Sequence, residues 1–247
     1  MPVKREYSAD DGYYDPPDFR PYMEYTPAAN ATKKGAIVLC AGGTFAYRDN
    51  VYDAYPTAEK FYEYGYDCFV LQYRLNPYEQ EESALDLARA VRYVRYYATD
   101  YGIDEKDIAL IGFSAGGVLC GEFLLHHDGA ILPSVLDSGY VPDGLDRVRA
   151  DVAAVAQIYS FYGSLPFSVA SAEKMAAAEL PPAFYAYGTL DPLCLSCKQS
   201  VNNLEAAGVK VEEHVYKGAP HAFGAGDEST NWTPEYDRFL TDIFFNN

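Results

Sequence analysis

Three features of this sequence predict an α/β fold built on a mostly parallel central sheet flanked by helices. Short β-branched or aromatic runs alternate with helix-like stretches along nearly the whole chain, and most of those runs are continuously apolar. One strand-turn-helix junction carries the tight hexapeptide Gly112-Phe113-Ser114-Ala115-Gly116-Gly117. Strand-helix alternation implies right-handed crossovers between parallel strands, and continuous apolar runs mark strands covered on both faces.

Each element follows from local pattern. The first thirty residues, rich in Asp, Tyr and Pro, read as a lead-in, and Tyr22-Met23-Glu24-Tyr25 alternates as an edge strand does before Pro27. Strands are expected at Ala36 to Cys40, Asp67 to Tyr73, Asp107 to Ile111, Ala153 to Tyr159, Ala183 to Tyr187 and Lys210 to Tyr216. Helices are expected from Tyr55 to Tyr64 ending at Gly65, from Ser83 to Ala98, from Ala115 to Leu125, and from Cys197 to Ala207 ending at Gly208. The second is the clearest, with Leu85, Leu87, Ala88, Val91 and Val94 forming an apolar stripe against Asp86, Arg89 and Arg92. Two segments break the alternation, 126–150 and 161–180. Both are rich in Pro, Ser, Gly and Ala, and ligands of open α/β sheets bind beyond the carboxyl ends of the strands, so both are candidate lid or pocket walls.

The 247 residues are 49% hydrophobic and 22% charged without a repeat, which fits one domain spanning 1–247. With 36 acidic against 19 basic residues the formal charge is -17, which disfavours nucleic acid and anionic membrane partners. The N-terminal residues lack the apolar core of a secretion signal, and no stretch approaches the ~20 apolar residues of a membrane span. Cys40, Cys68, Cys120, Cys194 and Cys197 are odd in number and three lie in apolar surroundings, which fits reduced thiols in a cytoplasmic protein. Cys194-Leu195-Ser196-Cys197 has the spacing of a redox or metal pair, but no second Cys or His pair accompanies it, so no metal is expected. Nothing in the composition fixes the oligomeric state. The 24 tyrosines and 13 phenylalanines suit core packing, and also stacking on sugar faces or aromatic acyl groups.

The glycine-flanked serine nominates Ser114 as a nucleophile. A strand turning sharply into a helix strains the residue at the turn and tolerates no bulk beside it, a need met by Gly112 and Gly116; a serine that merely caps the helix gives the same string. A serine hydroxyl needs a base, the base an orienting acid, and the developing oxyanion needs donors. His221 follows Lys217-Gly218-Ala219-Pro220 after the last expected strand and is the preferred base, although a lone histidine is commonly structural. His126 and His127 lie on the order of 15 Å from Ser114 by helical rise. His214 lies inside an alternating run. Asp191 comes directly after the strand ending at Tyr187 and suits the acid, while Asp191-Pro192 also reads as a turn that caps the next helix. Oxyanion donors are expected from the Ala115 N–H and from Gly43 and Thr44 in the loop Cys40-Ala41-Gly42-Gly43-Thr44-Phe45, with Gly42 shaping the turn. That loop lacks the glycine spacing and the Lys of a phosphate cradle. Phe45, Tyr162, Phe167 and Phe223 are candidates to line a pocket, and packing accounts for each equally well.

These strings resemble the α/β-hydrolase superfamily from about Tyr22 to the C-terminus. Ala41-Gly42-Gly43-Thr44-Phe45, Arg48, Phe69-Val70-Leu71-Gln72-Tyr73-Arg74, Gly102-Ile103-Asp104, Ile111 to Gly117 and Gly218 to Gly224 are similar to small bacterial esterases related to acetyl xylan and feruloyl esterases, near the hormone-sensitive-lipase-like group. The resemblance implies carboxylic-ester hydrolysis through an acyl-enzyme, a small-molecule ester as substrate and no cofactor. Relatives of this type commonly carry a third glycine at Thr44 and a His or Pro at Ala41. The chain is too short for a large cap, so an open site is expected, suited to a short acyl group on a soluble alcohol such as a sugar. A feruloyl esterase, a small peptidase of the same fold and a non-catalytic binding protein on the same scaffold are the alternatives.

Overall fold

The apolar runs form strands β1 (Tyr22–Thr26), β2 (Gly35–Cys40), β3 (Tyr66–Gln72), β4 (Ile108–Phe113), β5 (Ala154–Ile158), β6 (Gly163–Ser164), β7 (Ser168–Val169), β8 (Ala183–Gly188) and β9 (Val211–Tyr216). They belong to a computed structural model that describes residues 15–16, 18–29, 34–126, 139–165 and 168–245. Seven strands make one sheet in the order β1-β3-β2-β4-β5-β8-β9, and β6 pairs with β7 in a separate hairpin. β1 is the antiparallel edge strand, as its alternation predicts, and the other pairings in the large sheet are parallel. Every residue of β2, β3, β4, β5 and β8 is buried, whereas β9 at the opposite edge is half-buried. Continuous apolar runs therefore occupy the centre, and the alternating runs occupy the two edges.

The helices are α1 (Ala54–Tyr64), α2 (Gln80–Tyr96), α3 (Ala98–Tyr101), α4 (Ala115–His126), α5 (Ala172–Ala176), α6 (Cys194–Ala206) and α7 (Thr233–Phe245). Chain direction across the sheet reverses at β2, whose neighbours are β3 and β4. Right-handed crossovers on either side of that reversal put α1 and α2 on opposite faces. Accordingly α1 packs with α7, and α2 packs with α4.

Helix starts differ from the sequence reading for identifiable reasons. α2 begins at Gln80 rather than Ser83 because Glu79 and Glu82 form a reciprocal capping box, leaving Ser83 buried with its hydroxyl donating to the Arg74 carbonyl at 2.7 Å. α6 begins at Cys194 rather than Cys197 because the Asp191 carboxylate accepts from the Leu193 N–H at 2.7 Å. Cys194 and Cys197 thus occupy the first helical turn, and all five cysteines are free thiols. α7 was not anticipated. It buries Thr233, Tyr236, Phe239 and Leu240 against the face that α1 covers.

Of the two irregular segments, 127–138 lies outside the described residues. Beyond it, a 3-10 turn at Leu145–Arg147 packs on α2, where Arg89 binds Asp143, Asp146 and the Tyr140 hydroxyl. The second segment carries the β6–β7 hairpin and α5, packed on α4 and α6. No helix among the described residues is long and apolar enough to cross a membrane.

Candidate active site

Two loops leave adjacent strand ends where the sheet order reverses, the place at which open α/β sheets bind ligands. One loop follows β2 and contains Gly42 and Gly43; the other is the single residue Ser114 between β4 and α4. Ser114 has φ of +48°, a conformation in which its side chain is forced away from the strand. Its N–H donates to the Ile158 carbonyl at 3.0 Å, and its carbonyl accepts from the buried Ser160 hydroxyl at 2.6 Å. Close approach explains the glycines. A Cβ on Gly116 would lie 2.0 Å from the Cys40 carbonyl oxygen, and one on Gly112 would lie 2.5 Å from the Gly117 Cα. Gln157, a buried amide within β5, donates to the Gly117 carbonyl at 3.0 Å and completes the clamp.

The loop after β9 brings His221 to the serine. His221 Nε2 is 3.0 Å from Ser114 Oγ, and Nδ1 is 2.9 Å from Asp191 Oδ2. An ionised carboxylate only accepts, so Asp191 requires the proton on Nδ1 and leaves Nε2 free to accept from the serine. The Asp191 side chain is fully buried, whereas the His221 side chain is 29% exposed, so the acid is sealed beneath a base that still meets solvent. The Asp191 carboxylate makes two contacts at once, with Oδ1 accepting from the Leu193 N–H in the turn before α6 and Oδ2 facing the imidazole Nδ1.

Ala115 follows Ser114 directly, and Gly43 and Thr44 follow Gly42 in the loop after β2. Gly43 has φ of +123°, and a Cβ there would lie 2.1 Å from the Tyr47 carbonyl oxygen. Thr44, where a third glycine is common, takes φ of +56° and turns its hydroxyl onto the Gly43 carbonyl at 2.7 Å. The left-handed conformation is thus kept without glycine, and the threonine side chain stays on the exposed side. Gly42 sits against the nucleophile, since a Cβ on it would lie 3.1 Å from Ser114 Cβ. Its N–H is taken by Asp53 Oδ2 at 2.8 Å, which assigns Gly42 to loop shape rather than to oxyanion donation.

Asp53 was not among the residues singled out from the sequence; it stands directly before α1, and its side chain makes no cap hydrogen bond to that helix. It is 3% exposed, and its other oxygen accepts from the Tyr159 hydroxyl at 2.5 Å. Burial pushes its carboxyl up to about 6, with the Tyr159 and Gly42 hydrogen bonds pulling the other way. Tyr159 has φ of +41° and lays its ring edge-on to His221, with centroids 4.9 Å apart. Gln157 left a detectable signal, being an amide inside an otherwise apolar strand; Asp53 left none.

The remaining expectations divide. Phe223 is half-buried, 4.9 Å from the Tyr159 ring and one residue beyond Ala222, so it borders the site. Phe45 is 8% exposed and packs edge-on to Tyr73, which favours the packing role. Tyr162 is fully buried beneath α4, where a Cβ on Gly121 would meet its Cα at 2.9 Å, so it belongs to the core and not to a pocket wall. Phe167 lies outside the described residues. His126 pairs with Glu122 at 3.0 Å along α4, and His214 pairs with Glu212 at 2.7 Å on β9. A cavity of about 830 Å³ lies elsewhere, between β1, β3 and α2, lined by Tyr22, Tyr25, Phe69, Tyr93 and Tyr101. Volume alone does not nominate a site, and the hydrogen-bonded Ser114-His221-Asp191 array is the candidate on geometry.

The profile of the BD-FAE family matches residues 24–163, more than half of the chain. The chain belongs to the BD-FAE family. A second profile, described as alpha/beta hydrolase fold, matches residues 142–225. Among curated proteins, this BD-FAE chain is 24% identical over 219 residues to an acetylxylan esterase of Xylanibacter ruminicola, covering 84% of the chain and 44% of that protein. It is 28% identical over 148 residues to endo-1,4-beta-xylanase B of Butyrivibrio fibrisolvens, covering 58% and 22%. The chain therefore spans less than half the length of either relative. A solved acetyl ester-xyloside bifunctional hydrolase from Caldicellulosiruptor lactoaceticus superposes with a TM-score of 0.76 at 23% identity, covering 96% of this chain and 94% of that one. Thermogutta terrifontis esterase 2 with propionate bound gives 0.73 at 20% identity, covering 94% and 93%. These likenesses establish the α/β-hydrolase fold for this BD-FAE member.

Proposed function

We propose that this protein is a serine carboxylic-ester hydrolase that works through an acyl-enzyme on short acyl esters, acetylated carbohydrates foremost. The observation that carries the reading is the continuous chain from Ser114 Oγ through His221 to Asp191, with hydrogen bonds of 3.0 and 2.9 Å. His221 Nε2 takes the Ser114 proton as Oγ bonds to the ester carbonyl carbon, and the carbonyl π pair moves to oxygen. Asp191 holds the resulting imidazolium by its Nδ1–H. The N–H groups of Gly43, Thr44 and Ala115 stabilise the oxyanion. Collapse re-forms the carbonyl and expels the alcohol oxygen, which takes the proton from His221. Water then repeats the sequence at the acyl carbon and frees the acid.

The acetylxylan esterase among the relatives supports an acetyl group on a sugar alcohol, and Phe223 beside His221 offers a small apolar contact to the bound ester. The free thiols fit a reducing compartment such as the cytoplasm. Hydrolysis of p-nitrophenyl acetate by wild type and by Ser114→Ala tests the reaction, together with labelling by a fluorophosphonate. Turnover and labelling that vanish in Ser114→Ala are the expected result; turnover equal in the two proteins refutes it. A panel of acetylated xylo-oligosaccharides, feruloyl esters and graded acyl chains ranks the substrate classes.

A further inference from the structure

The Ser114-His221-Asp191 array leaves unused a buried carboxylate beneath it. Asp53 lies at the end of the stretch joining β2 to α1, and its carboxylate ties the start of that stretch to the loop that follows β5. Its Oδ2 accepts the Gly42 N–H at 2.8 Å, in the segment that presents Gly43 and Thr44. Its Oδ1 accepts the Tyr159 hydroxyl at 2.5 Å, and Tyr159 follows β5. The Tyr159 ring packs edge-on to His221 at 4.9 Å and to Phe223 at 4.9 Å, so the phenol braces the loop that carries the base.

Two features make this more than packing. Tyr159 is held at φ of +41°, a conformation unfavourable for an aromatic residue and maintained only where surrounding contacts impose it. Asp53 is kept 3% exposed at a desolvation penalty that raises its carboxyl to about 6. An apolar residue would fill that space without the penalty, but it would leave the Gly42 N–H and the Tyr159 hydroxyl without their acceptor.

We propose that Asp53 and Tyr159 act as one positioning unit for the ester-hydrolysing site, setting the His221 ring and the Gly42-Gly43-Thr44 loop in register with Ser114. The proposal rests on the esterase reading given above. Neither residue touches the reacting atoms. Asp53 fixes the oxyanion side through Gly42 and the base side through Tyr159, so one carboxylate ties the two halves of the site together.

The test uses Asp53→Asn, Tyr159→Phe and the double variant on the full chain, with p-nitrophenyl acetate turnover normalised to sites titrated by a fluorophosphonate. An asparagine can offer oxygen to only one of the two donors and faces the other with its amide group. Each single variant is expected to lower kcat by about 10- to 100-fold with KM within about threefold, because the loss is in alignment and not in substrate contact. The double variant is expected to be no slower than the slower single. A kcat within twofold of wild type in both singles overturns the proposal, as does a double variant whose loss is the product of the two. Failure of the esterase reading looks different, since wild type then neither labels nor turns over. In that event a crystal structure of Asp53→Asn decides: a His221 Nε2 to Ser114 Oγ separation beyond 3.5 Å upholds the positioning role, and an unchanged separation refutes it.

Discussion

Replacing Gly116 by alanine probes the nucleophile turn directly. The added Cβ would stand 2.0 Å from the Cys40 carbonyl oxygen and 2.5 Å from that of Ala41. Carbon-to-carbonyl-oxygen contacts settle at about 3.3 Å or more, so roughly 1.3 Å of separation must be found. Cys40 ends a fully buried strand paired on both sides by β3 and β4, so the adjustment falls on the first turn of α4. A movement of that size carries Ala115 and Ser114 with it and opens the 3.0 Å bond to His221 past hydrogen-bonding distance. Misplacement by about 1 Å lowers catalysis on the order of 10²-fold, and overpacking of this kind costs about 1–3 kcal/mol of stability. The assay is kcat/KM on p-nitrophenyl acetate beside a thermal melt. Gly102→Ala is the control, because nothing lies within 4 Å of its Cβ and φ of +70° adds only local strain. Activity of Gly116→Ala within threefold of wild type at an unchanged melting temperature would refute the reasoning.

Asp191→Asn keeps the cap on Leu193 but presents an amide to His221; kcat should fall by about 10⁴ while circular dichroism and the melting temperature stay close to wild type. His221→Ala should lose at least 10³-fold in kcat, whereas His126→Ala, which breaks a pair with Glu122 on the far end of α4, should remain within about twofold of wild type in the same ester assay. Stability should depend on pH through Asp53, whose folded-state value of about 6 stands above its ordinary 3.8. A raised carboxyl stabilises the fold fully below 3.8, and that contribution is lost as pH rises through 6. Between pH 5 and 7.5 the loss is about 1.4 kcal/mol, so urea unfolding of wild type should weaken over that interval by about this much relative to Asp53→Asn. Parallel pH dependences in the two proteins would contradict it.

The central sheet was legible because its strands are buried on both faces and so carry uninterrupted apolar runs, as in Ala36 to Cys40 and Ala183 to Tyr187. Ser114, Asp191 and His221 were legible because each falls at a strand end beside glycine or proline. α7 is legible only in the spacing of Tyr236, Phe239, Leu240 and Ile243, because its apolar stripe is interrupted by Asp237, Arg238, Thr241 and Asp242. Asp53 was invisible for a different reason: an acid before a helix is expected there, and only the fold brings it against Gly42 and Tyr159 from positions 11 and 106 residues away. For Tyr162 the sequence left a pocket wall and a packing role equally open, because proximity to the end of β5 does not say which side of the chain faces solvent. Its ring turns inward under α4, where Gly121 makes room for it.

The contrast between a sealed Asp191 and a His221 side chain 29% open to solvent bears on the tempo of the proposed reaction. The water that cleaves the acyl-enzyme can reach the imidazole from the open side of its ring. Each turnover is then paced by bond making and breaking, so thickening the medium with sucrose should leave kcat unmoved, while exchanging H₂O for D₂O should slow it.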